Sequence, residues 1–326
     1  MKYLTLLFLS STLSGLAAQE PAALKLVQTI PLPGVKGRLD HFSQDMENNR
    51  LVVAALGNDT VEVLDTAAGK RLKSITGLHA PQGVLCLPGS NRIAASGGGD
   101  GTFKLFDGVT YSLVKSLGSL ADADNMRFDP KANLVYVGYG EGDLAVIDPA
   151  GAMQAGVIKL KGHPEAFHLE QNGSRIFVNV PDAHHVAVID REKKCIVTTW
   201  PMIGFKANFP MALDEANCRL FVGCRRPARL VVLDTATGKT VTDLEISGDT
   251  DDVFYDAPRK RLYLSCGEGF VDVIDQRNAD TYTRRERMPT RDGARTSFFS
   301  AERDVLYVAV PQRGGRDAEI RVYKPE

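Results

Sequence analysis

The chain has 326 residues, with 39 Lys and Arg against 40 Asp and Glu, and 44% of the residues are hydrophobic. This composition excludes a disordered or collagen-like chain and is sufficient for a large core. The formal net charge of -1 argues against a dedicated nucleic-acid-binding protein, because such proteins present a strongly basic face.

The first 18 residues have the composition of a signal peptide. Lys2 provides a short positive region, an apolar run follows it, and Ala17 and Ala18 are small residues of the kind that signal peptidase needs near its cleavage site. The apolar run is shorter than the ~20 residues of a membrane-spanning helix. We therefore expect residues 1–18 to be removed and residues 19–326 to be exported, as one domain, to the periplasm or the extracellular space.

One pattern of short strands recurs seven times along the rest of the chain. An apolar strand such as 219–222 is followed by a loop and by a second apolar strand, such as 230–234, that ends in aspartate. These closing aspartates are Asp65, Asp107, Asp148, Asp190, Asp234 and Asp275. They lie about 42 residues apart, and a period of about 40–45 residues with four strands is typical of a propeller blade. The sequence therefore predicts an all-β fold, a seven-bladed β-propeller of four-stranded antiparallel blades.

The two ends of the chain predict how the ring closes. The last repeat stops after its third strand, at Tyr323, and an additional strand at 24–30 resembles the fourth strands of the other repeats. We expect the strand at 24–30 to complete the last blade, because the backbone groups at the seam would otherwise lack hydrogen-bond partners.

The repeats resemble the YVTN-type β-propeller family. Residues 134–138, LVYVG, have the shape of the motif that names the family, and residues 231–239, VVLDTATGK, match its stretch V-x-V-I-D-T-A-T-x-K. The resemblance covers essentially the whole mature chain. It implies a seven-bladed propeller and export, as in the exported bacterial members, and it identifies no catalytic residues.

Charged and polar residues gather in the segments that connect the fourth strand of each blade to the innermost strand of the next blade. They also occur in the loops on the same face. The candidate ligand-binding residues are Arg38, Asp40, His41, Asp124, Asn125, His163, Glu165, Asn208, Arg225, Asp251, Asp252 and Arg295. Acids dominate blades 2 to 4 and arginines dominate blades 5, 7 and 1, while blade 6 interrupts the basic side with two aspartates. We predict a polarised mouth that binds a small ligand or a protein partner, with arginine suited to carboxylates and the acids suited to cations.

A metal-dependent enzyme is the alternative function. A divalent cation such as calcium could bind among Asp40, Asp124, Glu165, Asn208 and Asp251, and His163 with Glu165 could serve as an acid–base pair, as in a gluconolactonase-like hydrolase or a propeller lyase. The sequence has no tight metal-binding spacing and no catalytic motif. We therefore expect a monomeric binding or scaffold module, and we do not expect nucleic acid as a partner because the charge is near neutral.

Overall fold

The computed structural model describes residues 22–326, so the predicted signal peptide at 1–18 lies outside the described residues. The described chain forms seven four-stranded antiparallel sheets, which confirms the predicted seven-bladed propeller. Within residues 22–326, no helix has the length and apolar character needed to span a membrane. All five cysteines are free thiols.

Every blade contains four strands, and each blade except the last is built from consecutive strands. The chain begins with β1 (Leu24–Leu32), and blades 1 to 4 contain β2 (Phe42–Asp45), β3 (Arg50–Ala55), β4 (Thr60–Asp65), β5 (Lys70–Ile75), β6 (Pro81–Leu87), β7 (Arg92–Gly97), β8 (Thr102–Asp107), β9 (Leu113–Leu117), β10 (Met126–Asp129), β11 (Leu134–Tyr139), β12 (Asp143–Asp148), β13 (Met153–Lys159), β14 (Phe167–Leu169), β15 (Arg175–Val180), β16 (His185–Asp190) and β17 (Cys195–Pro201). Blades 5 to 7 contain β18 (Lys206–Asp214), β19 (Arg219–Arg226), β20 (Ala228–Asp234), β21 (Thr240–Glu245), β22 (Thr250–Asp256), β23 (Arg261–Cys266), β24 (Phe270–Asn278), β25 (Thr281–Pro289), β26 (Ser297–Ser300), β27 (Val305–Val310) and β28 (Ala318–Pro325). Single turns of 3-10 helix at Leu56–Asn58 and Pro181–Ala183 join the second and third strands of blades 1 and 4.

The ring closes through the N-terminal strand, as predicted. Strand β1 pairs antiparallel with β28, from Leu24 opposite Pro325 to Leu32 opposite Ala318, and the seventh sheet has the order β1-β28-β27-β26. The backbone N–H of Glu326 also donates to the carbonyl of Ala23 at 3.0 Å. The first and last strands of the described chain therefore satisfy each other's backbone groups at the seam.

The hydrophobic core is divided into seven clusters, one between each pair of neighbouring blades. Between blades 3 and 4, for example, Tyr136 and Leu144 pack with Phe167 and Ile176. Each sheet packs against a neighbouring blade on both of its faces, so its inner strands are buried on both sides. All six residues of β3 are buried, for example. The outermost strands are more exposed because they meet solvent, and in β5 only Ile75 is buried.

Most aspartates that close the third strands cap the turn that follows. In blade 5, Asp234 Oδ1 accepts hydrogen bonds from the backbone N–H groups of Ala236 at 3.1 Å and Thr237 at 2.9 Å. Asp275 differs because β24 continues past it, and its Oδ1 accepts from Arg261 Nε at 3.0 Å.

Arginines at the starts of second strands join neighbouring blades, a feature we did not predict. Each donates to a backbone carbonyl in the next blade or, from blade 6, at the C-terminus. The pairs are Arg50 with Gly108, Arg175 with Thr235, Arg219 with Ala279 and Arg261 with Glu326. In blade 1, Arg50 Nη2 also donates to Asn91 Oδ1 at 2.7 Å and contacts Asp45. These contacts lie at the end of the blades opposite the starts of the innermost strands.

Candidate functional site

The innermost strands of the blades begin at one end of the central channel, and this end forms the mouth. Asp40, Asp124 and Glu165 hold equivalent positions there, each just before the innermost strand of its blade. Their backbone N–H groups donate to carbonyls of the second strand at 2.7, 2.8 and 3.0 Å, respectively. Because three blades place an acid at the same register position, the three carboxyl groups lie at one level of the mouth.

His41 reaches across the mouth from blade 1. Its Nε2 lies 3.7 Å from Asp40 Oδ1 and 3.7 Å from Asp124 Oδ1, and its Nδ1 lies 3.9 Å from Asp252 Oδ1. Burial lowers the pKa of His41, and the nearby Asp124 only partly opposes that effect. A neutral imidazole therefore connects carboxyl groups of blades 1, 3 and 6.

Blade 6 contributes two consecutive acids to the mouth. Successive residues of a regular strand point to opposite sides, but the register of β22 shifts at a bulge between Thr250 and Asp252. Asp251 contacts Arg38 and Arg225, while Asp252 faces His41 and its Oδ2 accepts from the backbone N–H of Ser297 at 2.8 Å. Burial raises the pKa of both aspartates.

The arginines of the mouth are already paired with these acids. Arg38 Nη2 lies 2.9 Å from Asp40 Oδ2 and 3.4 Å from Asp251 Oδ2, and Arg225 forms an ion pair with Asp251. Arg295 Nη1 lies 3.0 Å from Oδ1 of Asp249, which we had not singled out. The predicted separation of an acidic side and a basic side is therefore reduced, because acids of blades 6 and 1 occupy the basic side.

Blades 3 and 4 retain the acidic side, with His163 among the acids. Its Nδ1 contacts the carbonyl of Gly140 at 2.7 Å, and its Nε2 lies 3.9 Å from Asp124 Oδ2. Burial opposes protonation of His163, but Asp124 and the Gly140 carbonyl outweigh burial and raise the pKa to about 9. Burial, reinforced by the charge of Asp124, raises the pKa of Glu165 to about 8. Burial acts in the same direction on Asp124, but the protonated His163 beside it lowers the pKa of Asp124 below its usual range.

Asp40 is the most enclosed acid of the mouth. It is fully buried, and neither of its carboxylate oxygens accepts a hydrogen bond of good geometry, although Arg38 is within ion-pair distance. Burial raises the pKa of Asp40 to about 7 against the opposing charge of Arg38. The mouth therefore contains a carboxyl group whose hydrogen-bonding capacity is only partly used by the described chain.

Two predicted residues are engaged beside the mouth rather than in it. Asn208 donates from Nδ2 to Asn179 Oδ1 at 3.0 Å and to the carbonyl of His185 at 3.1 Å, so its amide joins blades 4 and 5. Asn125 is buried and its Oδ1 accepts from Arg127 Nη1 at 3.4 Å. Across residues 22–326, no group of three or more His, Cys, Asp or Glu side chains is arranged to hold a metal ion.

Below the mouth lies a channel cavity of about 360 Å³ that is lined by residues of the innermost strands. His41 and Asp252 form part of its lining, together with Arg127 and His168. We had not predicted Arg127 as a site residue. One feature of the sequence could have identified Arg127. It is a charged residue in an innermost strand, at the position that Phe254 and Phe298 hold in blades 6 and 7.

No protein-family model and no curated protein matches the sequence. Solved structures do match the fold. A chain in the crystal structure of the mitotic checkpoint complex has a TM-score of 0.79 and 14% identity, over 98% of this chain and 99% of that one. A chain of the hydrazine synthase of Kuenenia stuttgartiensis has a TM-score of 0.74 and 15% identity, over 85% of this chain and 94% of that one. At such low identity the similarity establishes the β-propeller fold alone.

Proposed function

We propose that this protein is a binding module that captures the cationic group of a small ligand or protein partner at the channel mouth. The observation that carries the proposal is the convergence of five carboxyl groups on one opening, those of Asp40, Asp124, Glu165, Asp251 and Asp252. The propeller fold is compatible with a binding role, and one structure of similar fold is a chain of a multiprotein complex.

The pairing of the charged groups in the mouth favours a cation over an anion, although His163 is itself protonated beside Asp124. The guanidinium groups of Arg38, Arg225 and Arg295 are held in ion pairs, so they have little capacity left for an incoming carboxylate. Asp40, in contrast, is buried, and it shares the guanidinium of Arg38, its ion-pair partner, with Asp251. Burial of an incompletely paired carboxyl group is costly, and an ammonium or guanidinium ligand that donates to it would reduce that cost.

Binding of a cation should be coupled to proton release. Around neutral pH the raised pKa values leave Glu165 largely protonated and Asp40 partly protonated. A positive ligand stabilises the ionised form of a neighbouring acid and so lowers its pKa. The mouth therefore exchanges protons for the cationic group, and its affinity for that group rises with pH.

We further propose that the protein is exported and belongs among the YVTN-type propellers. The signal-like composition of residues 1–18 and the match of residues 231–239 to the family's repeat support this assignment. Detection of the mature N-terminus at residue 18 or 19 in periplasmic or culture fractions tests export. An uncleaved chain confined to the cytoplasm would contradict it.

A metal-dependent hydrolase or lyase is the second candidate. It is favoured by the raised pKa values of His163 and Glu165, because perturbed titratable groups gather at catalytic sites. It ranks second because both groups carry protons at neutral pH, which leaves the pair without a base. Elemental analysis of the purified protein tests it. Stoichiometric metal that is lost in Asp124→Ala would favour the enzyme over the binding module.

The binding proposal is tested by isothermal titration of the mature protein with hexylamine, a simple organic cation. We expect saturable binding that weakens at least tenfold in Asp124→Asn, because a charge-assisted hydrogen bond contributes about 1.5–3 kcal/mol. Asp182→Asn is the matched control, since Asp182 is an exposed acid on the same face of blade 4. Equal affinities in Asp124→Asn and Asp182→Asn would contradict the proposal.

A further inference from the structure

Arg127 in β10 stands out among the arginines near the channel because it has no acidic partner. Arg38, Arg225 and Arg295 each lie within ion-pair distance of an aspartate, whereas Arg127 forms no ion pair with any acid of residues 22–326. Its Nη1 donates to the carbonyl of Met126 at 2.8 Å and to Asn125 at 3.4 Å. In the same described range, Nε and Nη2 have no hydrogen-bond acceptor.

The surroundings of Arg127 are largely apolar. Each innermost strand has a residue equivalent to Arg127, which pairs with a central residue of the second strand. These equivalent residues include Leu85, His168, Phe254 and Phe298. Burial lowers the pKa of His168 to about 4, with Arg127 adding to the effect, so that imidazole is neutral. Arg127 is therefore the one cationic side chain at this level of the channel within the described residues.

The guanidinium of Arg127 lies over the ring of Phe167, 5.5 Å from its centroid, but it has no carboxylate partner within residues 22–326. Burial lowers the pKa of Arg127, and the charges of Asp252 and Asp124 oppose that effect from beyond ion-pair distance. A desolvated guanidinium with part of its donor fork unused is complementary to a planar carboxylate, which can accept two parallel hydrogen bonds. The channel cavity of about 360 Å³ on which Arg127 borders falls within the range of small-molecule sites.

Arg127 and the mouth acids lie at two levels of one passage. Asp124 belongs to the mouth, and Arg127 follows it by three residues, or about 10 Å of extended chain, towards the interior of the channel. We infer that the channel binds an elongated zwitterion, with its carboxylate on Arg127 and its ammonium group among the carboxyl groups of the mouth. The inference rests on the proposed function for the ammonium end, and it adds the anionic subsite and the separation of the two charges.

Three probes of similar length separate the two subsites by isothermal titration of the full mature protein. They are 6-aminohexanoate, which has both charges, hexylamine, which has the cation, and hexanoate, which has the carboxylate. We expect 6-aminohexanoate to bind at least tenfold more tightly than either single-charge probe. Glycine is a zwitterion too short to span about 10 Å, so it should bind at least tenfold more weakly than 6-aminohexanoate.

The informative variant is Arg127→Gln. It should weaken 6-aminohexanoate at least tenfold, abolish hexanoate binding and leave hexylamine bound at least as tightly as in the wild type. Arg316→Gln is the matched control, because Arg316 is exposed and its backbone bridges only to Arg313. Arg127→Lys keeps the positive charge but loses the paired donors of the guanidinium, so its affinity for 6-aminohexanoate should lie between those of the wild type and Arg127→Gln. It serves as the test if Arg127→Gln does not fold.

The outcomes distinguish this inference from the proposed function. Hexylamine binding with no effect of Arg127→Gln on 6-aminohexanoate would overturn the anionic subsite and leave the cation-binding mouth intact. Hexanoate binding that requires Arg127, without any hexylamine binding, would overturn the cationic mouth and with it the zwitterion. Binding of none of the probes would overturn both.

Discussion

His41 Nε2 lies 3.7 Å from Asp124 Oδ1, although the two residues belong to blades 1 and 3 of the ring. The imidazole also approaches Asp252 of blade 6, so one side chain connects three sides of the mouth. A propeller whose channel is spanned in this way has a mouth that is closely packed with titratable groups. This arrangement underlies both the proposed capture of a cation and its expected dependence on pH.

The affinity for an organic cation should increase with pH. Asp40 and Glu165 have pKa values raised to about 7 and about 8, so they lose protons between pH 6.0 and pH 8.5, while an alkylamine remains charged. We expect hexylamine to bind about tenfold more tightly at pH 8.5 than at pH 6.0, as measured by isothermal titration. Glu165→Gln should reduce this dependence. An affinity that is the same at both pH values would contradict the exchange of protons for the cation.

The stability of the unliganded protein should change with pH in the opposite direction. The folded pKa of Glu165, about 8, lies above its unfolded value of about 4.3, so the folded state binds more protons, and this contribution to stability is lost as the pH rises through 8. The folded pKa of His163, about 9, also lies above its unfolded value of about 6.5, so its contribution is present below pH 6.5 and is lost as the pH rises through 9.

We therefore expect the melting temperature to fall by on the order of 5 °C between pH 6.0 and pH 9.0. Differential scanning calorimetry at the two pH values measures the change. Glu165→Gln should show a smaller decrease, since glutamine does not titrate. A melting temperature that rises over this interval would show that the mouth acids are ionised in the folded state.

Ring closure by β1 predicts a contrast between two apolar residues of the same strand. Ile30 is fully buried and pairs with Ile320, whereas Leu26 is 49% exposed. Ile30→Ala should lower the free energy of unfolding by about 2–4 kcal/mol through lost burial and a cavity, and Leu26→Ala by about 0.5 kcal/mol or less. Denaturant unfolding measures both values. Similar small losses in the two variants would indicate that the seam contributes little to the stability of the ring.

The arginines that join neighbouring blades predict a second contrast. Arg50 contacts Asp45 and donates to Asn91 and to the Gly108 carbonyl of blade 2. Arg92 holds the equivalent position in blade 2 but forms its ion pair with Asp107 of its own blade, at a partly exposed site. Arg50→Met should cost about 3 kcal/mol, because it removes the guanidinium partner of Asp45 and leaves the buried carbonyl of Gly108 without that donor. Arg92→Met should cost about 1 kcal/mol or less. Denaturant unfolding that gives equal losses would contradict a role for Arg50 between blades.

The fold could be predicted from the sequence because each blade repeats the same local signals. The strands that end in Asp107 and Asp234 show the period, and the strand at 24–30 has no partner except the incomplete last repeat. These signals are local in the chain. The arginine contacts between blades were less evident, although Arg begins five of the second strands. Their partners are distant in the chain, since Arg175, for example, donates to a carbonyl 60 residues away.

The mouth could be predicted only in part, because strand irregularities and side-chain pairing decide it. The register position identified Asp40, but a bulge between Asn208 and Met211 in β18 shifts the register next to Asn208, whose amide joins the contact between blades 4 and 5. The pairing of Arg295 with Asp249 depends on a distance across two blades, which no local pattern specifies.

Cation binding at the mouth is tested most directly by a crystal structure of the mature protein grown with hexylamine. We expect the ammonium group to lie at the channel mouth, with its nitrogen about 3 Å from carboxylate oxygens of Asp40 or Asp124. A saturated complex in which the amine lies elsewhere, with the mouth carboxylates in contact only with Arg38, Arg225 and the two histidines, would contradict a cation-binding mouth.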